Sequence, residues 1–252
     1  MRTAREHPIW WRPAHWPAAS CVRAGITTRQ GGSGLHPYQG FNLALHVGDD
    51  PATVSANRAE LRQRLDLPGE PCWLQQVHGT HVVAADSVAD VVADGSHASA
   101  PGQICTVMIA DCVPLLLTDI AGGQVAAIHA GWRGVAAGII DAAIAVMGAP
   151  PEQVLAWIGP CIGPDRYEVG AEVRSACLKL HPDAGGCFRP TTPGHWRADL
   201  PGLVRRGLHR HGVRAIHGGD ICVHDQRDLF FSHRRDGQTG RMAALIWIEK
   251  DQ

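Results

Sequence analysis

Apolar positions along the chain fall into short runs broken by glycine and proline, with a few stretches at helical spacing. Residues 113–118 and 124–128 are two such runs joined by Gly122-Gly123, which predicts a strand–turn–strand unit. Residues 104–110 read as a buried strand leading into it. Residues 20–28, 41–46, 154–158, 213–217, 229–232 and 242–248 read as further strands, and 72–77 and 80–84 as two more, broken at His78-Gly79. A helix begins where Asp50 can cap and Pro51 opens the first turn, with Val54, Leu61 and Leu65 on its apolar side and Arg58, Arg62 and Arg64 facing solvent. Residues 135–147, 170–181 and 200–211 are the other predicted helices. Glycine, proline and polar residues make loops of 29–40, 86–102 (with a turn at Asp94-Gly95), 159–164, 190–194 and 233–240.

No repeat and no long linker is visible, so a single domain is expected over residues 1–252, with its core at about 20–249. Strands outnumber helices and neighbours look hairpin-linked, which favours an α+β fold with mixed sheets.

Composition narrows the partners. With 252 residues, 45% of them hydrophobic, the chain can bury a sizeable core. A net charge of −1 leaves no basic surplus, so neither nucleic acid nor an anionic membrane face is an expected partner. The longest apolar tracts are interrupted by Asp111 and Asp141 and are not membrane spans. The first thirteen residues lack the continuous apolar run of a signal peptide. Eight cysteines without a C-x-x-C pair read as reduced thiols of a cytoplasmic protein.

The candidate chemistry sits at the ends of the strand–turn–strand unit. Cys112 precedes the first strand and His129 follows the second, so an antiparallel pairing brings them together. A soft thiolate beside an imidazole suits either zinc or a nucleophilic dyad. His78, in the break between two strands, is a third donor, and three donors leave one tetrahedral position open, as a catalytic zinc requires. The spacing matches no short metal signature, and a buried cysteine with two polar core histidines fits the same pattern. Among the cations, Arg133 lies in a Gly-flanked turn four residues past His129 and is the first candidate for an anion site, followed by Arg234. Arg29 and Asn42 border the glycine-rich loop. Asp111, Glu168 and Asp236 are the acids placed to orient a histidine or act as a base.

Several segments together resemble the YfiH-type proteins, also called laccase-domain proteins, multicopper polyphenol oxidases and peptidoglycan editing factors. They are Trp73-Leu74-Gln75-Gln76-Val77-His78-Gly79, Ala110-Asp111-Cys112-Val113-Pro114, His129-Ala130-Gly131-Trp132-Arg133-Gly134, Gly159-Pro160-Cys161-Ile162-Gly163-Pro164, Tyr167-Glu168-Val169-Gly170 and Phe230-Phe231-Ser232-His233-Arg234-Arg235-Asp236. The resemblance implies a four-layer α/β/β/α sandwich with mixed sheets. It implies one zinc on His78, Cys112 and His129, and phosphorolysis of adenosine, inosine, guanosine or methylthioadenosine to base and ribose 1-phosphate, with adenosine deamination beside it. Cys112, His129, Arg133 and Arg234 are then the expected catalytic residues, and Arg29, Asn42, Asp111 and Glu168 the substrate contacts. Purine nucleosides and phosphate are the expected partners of a monomer or homodimer.

Two other readings carry over. A laccase-like polyphenol oxidase would need a blue-copper centre and a histidine-rich cluster. The single H-x-H, His209 and His211, is predicted on a helix that turns the two about 200° apart, so copper is the less expected metal. A peptidoglycan-precursor editing hydrolase would use Cys112 and His129 as a thiol dyad.

Overall fold

The computed structural model of the protein describes residues 10–86 and 91–249. Residues 1–9, residues 87–90 near the start of the expected 86–102 loop and the last three residues lie outside the described residues. In chain order the strands are β1 (Trp11–Pro13), β2 (Val22–Thr27), β3 (Leu74–Gln75), β4 (Val82–Ala84), β5 (Val91–Val92), β6 (Gly95–Ala98), β7 (Ile104–Ile109), β8 (Val113–Asp119), β9 (Val125–Ala130), β10 (Val154–Ile158), β11 (Glu168–Gly170), β12 (Phe188–Pro190), β13 (His195–Ala198), β14 (Ala215–Gly218) and β15 (Met242–Ile248). The helices are α1 (Pro51–Leu65), α2 (Trp132–Ala137), α3 (Ile139–Val146), α4 (Ala171–Leu180), α5 (Leu200–Arg210) and the single turn α6 (His233–Asp236).

Two mixed or antiparallel sheets carry the fold. One has the order β1-β2-β15-β7, the other β14-β10-β8-β9-β6-β4. Alternation along each strand then decides the layers. Val113, Leu115, Leu117, Ala126 and Ile128 face Ile139, Ile140, Leu203 and Leu208 of the helices. The opposite faces, Leu116, Val125 and Ala127, meet Val107, Ile109, Ala244 and Ile246 of the other sheet. That sheet's outer face, with Met108, Leu245 and Trp247, is covered by Leu61 of α1 and by Phe41, Leu43 and Trp73. The result is the expected α/β/β/α order. It also explains why β7, β8, β9 and β15 read as near-continuous apolar runs: both of their faces are covered.

α1 starts as its sequence predicts. Asp50 accepts from the Thr53 N–H at 3.0 Å, and Pro51 stands at the first helical position. Asp50→Ala is expected to cost about 1 kcal/mol, read as a shift of the urea midpoint at unchanged slope. Arg58 departs from the expected solvent face. Its Nε donates to the Leu43 carbonyl at 2.9 Å and its guanidinium stacks 3.9 Å from the Trp73 ring centroid, because the apolar arginine stem fills the space between α1 and the sheet.

Other boundaries are corrected by tertiary context. The expected helix 135–147 begins earlier, at Trp132, and breaks at Gly138, whose φ of 101° a non-glycine residue adopts only with strain. The expected loop 86–102 contains β5 and β6. Gly95-Ser96-His97-Ala98 has no apolar alternation, and becomes a strand by pairing with β9 on one side and β4 on the other. Gly95 therefore opens a strand rather than closing a turn. The segments expected as strands at 41–46 and 229–232 pair in no sheet, although Phe41, Leu43, Phe230 and Phe231 are fully buried. Burial without a ladder partner is enough to give an apolar run. The expected loop 233–240 holds α6, whose first turn is capped by Ser232 Oγ on the Arg235 N–H at 3.3 Å.

Candidate functional site

The β8–β9 hairpin brings its ends together as the sequence requires. Val113 pairs with Ala130 and Pro114 with His129, so Cys112 and His129 stand at one end of the pair. His129 is not beyond the strand, as expected, but within it. Counting by two from Val125 and Ala127 turns its ring toward the space between the sheets, where it is buried.

His78 arrives from a separate segment. Gln76 copies a strand pairing with its side chain: Nε2 donates to the Met108 carbonyl at 2.8 Å and Oε1 accepts the Met108 N–H at 2.7 Å. This fastens residues 74–78 beside β7. His78 then takes a left-handed backbone, φ 61°. The donor atoms of His78, Cys112 and His129 all lie within 4.8 Å of one another. Cys112 Sγ is 3.9 Å from His78 Nε2, and the two imidazoles meet edge to face with centroids 4.8 Å apart.

A residue that the sequence reading passed over organises this cluster. Asp94, read there as a turn residue, is fully buried. Its Oδ1 accepts from His129 Nδ1 at 2.8 Å and from the His78 N–H at 2.9 Å; its Oδ2 accepts from the N–H groups of Gly79 at 2.6 Å and Val77 at 3.2 Å. One carboxylate thus holds the ring of one donor and the backbone of another. Burial alone would raise its carboxyl pKa, but the His129 and backbone hydrogen bonds win and hold it below the usual range. No local signal marks Asp94: it is 35 positions from His129 and 16 from His78.

The electrostatics favour charge separation at Cys112 and His129. Burial pushes the Cys112 thiol up, but the imidazolium and hydrogen bonds of His129, together with those of His78, outweigh it and bring the thiol below its ordinary value. Burial pushes His129 down, and the Cys112 thiolate and Asp94 reverse that and raise it.

The donor set fits a metal. Tetrahedral bonds of about 2.0–2.3 Å place donors about 3.5 Å apart, close to the Cys112–His78 spacing. The cradle is also cleared on purpose: a Cβ on Gly131 would lie 2.7 Å from His78 Cδ2 and 3.0 Å from Cys112 Sγ. Asp94 holds Nδ1 of His129, which leaves Nε2 as the ligand atom, the usual carboxylate–histidine arrangement. Among the described residues no second group of three such donors comes together.

The remaining candidates separate. Asp111 adjoins Cys112 with φ 99°; its carboxylate accepts from Ser232 Oγ and from the Arg234 N–H, both at 2.6 Å. It therefore fastens α6 to the site. Arg234 donates Nη1 to the Glu168 carbonyl at 2.6 Å and stacks 4.9 Å from the Tyr167 centroid. Glu168 contributes its backbone there. Arg133 is exposed on α2, 4.4 Å from the Trp132 ring. Arg29 bonds the carbonyls of Gln39 and Arg227 and lines a cavity of 1150 Å³ that Asp236 also lines. Asn42 is fully buried, its amide shared among Ala44, Asp49 and Arg241. It braces the loop from within.

A His–Cys–His donor set, with His129 buried, on an α/β/β/α sandwich defines a candidate metal-binding protein of the laccase-domain class. The chain belongs to the YfiH-type family described as multi-copper polyphenol oxidoreductase laccase, which it matches over residues 23–249. A Pseudomonas aeruginosa protein named purine nucleoside phosphorylase is 46% identical over 240 residues, covering 95% of this chain and 98% of its own. Purine nucleoside phosphorylase YfiH of Escherichia coli is 43% identical, with 92% and 96% covered. A solved Neisseria meningitidis structure superposes with a TM-score of 0.93 at 44% identity, covering 96% of this chain and all of its own. YlmD from Geobacillus stearothermophilus superposes at 0.85, with 31% identity and 97% and 94% covered.

Proposed function

We propose that this chain is a zinc-dependent purine nucleoside phosphorylase, acting on adenosine, inosine, guanosine or methylthioadenosine, with adenosine deamination as a second activity. The observation that carries the reading is the convergence of His78, Cys112 and His129 on one point, three donors where a tetrahedral ion takes four, in a chain whose relatives are named for that reaction. A zinc ion held by these three would supply Lewis-acid polarisation of a reactant oxygen.

The chain's own residues do the rest. Asp94 holds the His129 tautomer, and Gly131 leaves room beside the thiolate and the His78 ring. Arg133 and Arg234 set positive charge near the site, which favours an incoming phosphate. In phosphorolysis a phosphate oxygen bonds to the anomeric carbon, the bond from that carbon to the base nitrogen breaks, and its electron pair leaves with the base, which takes up one proton. Asp111 contributes by fixing α6, and so Arg234, against the site.

The test is incubation of metal-replete protein with adenosine, with and without phosphate, followed by mass analysis of products. Adenine formed only with phosphate is the expected result, and inosine formed without phosphate reports the deaminase reaction. Formation of neither adenine nor inosine would overturn the reading.

A thiol hydrolase is the second reading, favoured by one observation. Asp94, His129 and Cys112 line up as acid, imidazole and lowered-pKa thiol. His78, 3.9 Å from the same sulfur, has no part in such a triad. Full turnover by chelator-treated, metal-free protein would favour the triad.

A further inference from the structure

Two basic side chains, Arg241 and His46, join no ion pair with an acid among the described residues. The antiparallel register pairs Met242 of β15 with Ile109 of β7, which stands Arg241 across from the turn that carries Asp111 and Cys112. The Arg241 N–H donates to Asn42 Oδ1 at 2.9 Å, and the same oxygen accepts the Ala44 N–H at 3.1 Å. Asn42 thereby draws the short helical turn Leu45–Val47, and His46 with it, to that end of β15. Arg58 closes the group from the α1 side through its bond to Leu43.

Arg241 is only partly exposed. Its Nη1 donates to the carbonyls of Thr239 at 2.7 Å and Gly240 at 3.1 Å. Nε and Nη2 find no hydrogen-bond partner, and the guanidinium joins no ion pair, among the described residues. Cys112, then Asp111 and Tyr38, are the groups whose fields reach it. The Asp111 oxygens are already committed to Ser232 and Arg234, and Cys112 belongs to the donor set. Among the described residues the His46 ring has no hydrogen-bond partner; burial, then the charges of Arg241, Arg58 and His129, push its pKa down. A guanidinium whose donor edge is open in a partly desolvated place is costly unless an anion joins it.

We propose that Arg241 and His46 form an oxyanion subsite at the edge of the metal centre, and that its ligand is inorganic phosphate. The unpaired Nε and Nη2 give the two-pronged donor edge that matches a tetrahedral oxyanion. By contrast Arg234 has one arm tied to Glu168, and Arg133 lies exposed on Trp132. The identity of the ligand rests on the phosphorylase reading; the presence of an oxyanion subsite does not.

The experiment is calorimetric titration of inorganic phosphate into the metal-replete protein and into Arg241→Gln, Arg241→Lys and His46→Gln. Metal content and melting temperature are checked for each, and steady-state kinetics with adenosine run in parallel. Loss of a charge-assisted bidentate contact predicts about 30-fold weaker phosphate binding in Arg241→Gln, with a smaller loss in Arg241→Lys, and about 5-fold in His46→Gln. The KM for phosphate should rise in step while the KM for adenosine moves less than about twofold, since only one reactant loses a contact. His46 is exposed, so His46→Gln carries the test if Arg241→Gln does not fold. Wild-type phosphate affinity in both Arg241→Gln and His46→Gln, or no phosphate binding by the wild type, overturns the proposal. Sulfate binding that is lost in the variants, with no phosphate binding by the wild type, assigns the subsite to another oxyanion and overturns phosphate. If phosphate binds and is lost in the variants but no base is released, the subsite stands and the phosphorylase reading falls. If base release needs phosphate and the variants bind it normally, the reading stands and the subsite falls.

Discussion

Asp94→Ala should lower metal affinity about 10–100-fold, the usual consequence of removing the group that orients a histidine ligand. It should also destabilise the metal-free protein by about 3–5 kcal/mol, since a buried charge pair loses one member. The reasoning is additive in geometry. The carboxylate is fully buried and accepts four hydrogen bonds, one from the His129 ring and three from the backbone of Val77, His78 and Gly79. Its loss frees the His129 ring to rotate and releases the left-handed turn that presents His78. Asp94→Asn keeps one accepting oxygen and should fall between alanine and wild type. Competition against a chromophoric chelator measures the affinity, and urea unfolding of the metal-free protein measures the stability. Wild-type affinity in Asp94→Ala would show that His129 needs no outer support.

Gly131→Ala should leave the fold intact and still weaken metal binding by about 100-fold, the cost of displacing reacting groups by about an ångström. The backbone at Gly131, with φ −76° and ψ 161°, is one alanine adopts freely, so no strain enters. The added methyl would sit 2.7 Å from His78 Cδ2 and 3.0 Å from Cys112 Sγ, so one donor must move. Stability of the metal-free protein should change by less than about 1 kcal/mol. This separates the variant from Asp94→Ala, in which both quantities fall. Unchanged metal affinity would mean that the ring and thiol yield at little cost, and that the cradle is not rigid.

How far the site could be read in advance depended on the range of the interaction. Cys112 and His129 flank one hairpin, so the turn and the strand period were enough to pair them. His78 was legible as an exposed donor at a strand break, without a reason for it to reach the others; that reason is the Gln76 side-chain pairing with Met108 and the Asp94 carboxylate. Asp94 itself was hidden behind a dipeptide that ordinarily makes a turn. Asn42 was singled out as a substrate contact, and the structure shows its amide committed inside the loop, where it fastens Ala44 to Arg241. Arg241 drew no reading from the sequence; the pairing of β15 with β7 sets it across from the turn that carries Asp111 and Cys112.

From its residues alone the chain determined which strands would be buried, where α1 would start, and that a thiolate and an imidazole would share the end of β8 and β9. Those features depend on hydrophobic periodicity, capping and tight turns, which act over a few residues. Tertiary structure decided that a sequence as polar as 95–98 becomes a strand, that Phe230 and Phe231 pack without one, and that a distant carboxylate aims the histidines of the donor set. These outcomes depend on what a segment meets after the sheets have stacked. A strand needs a neighbour's open edge and a buried charge needs its partners, and neither is encoded within the segment that uses it.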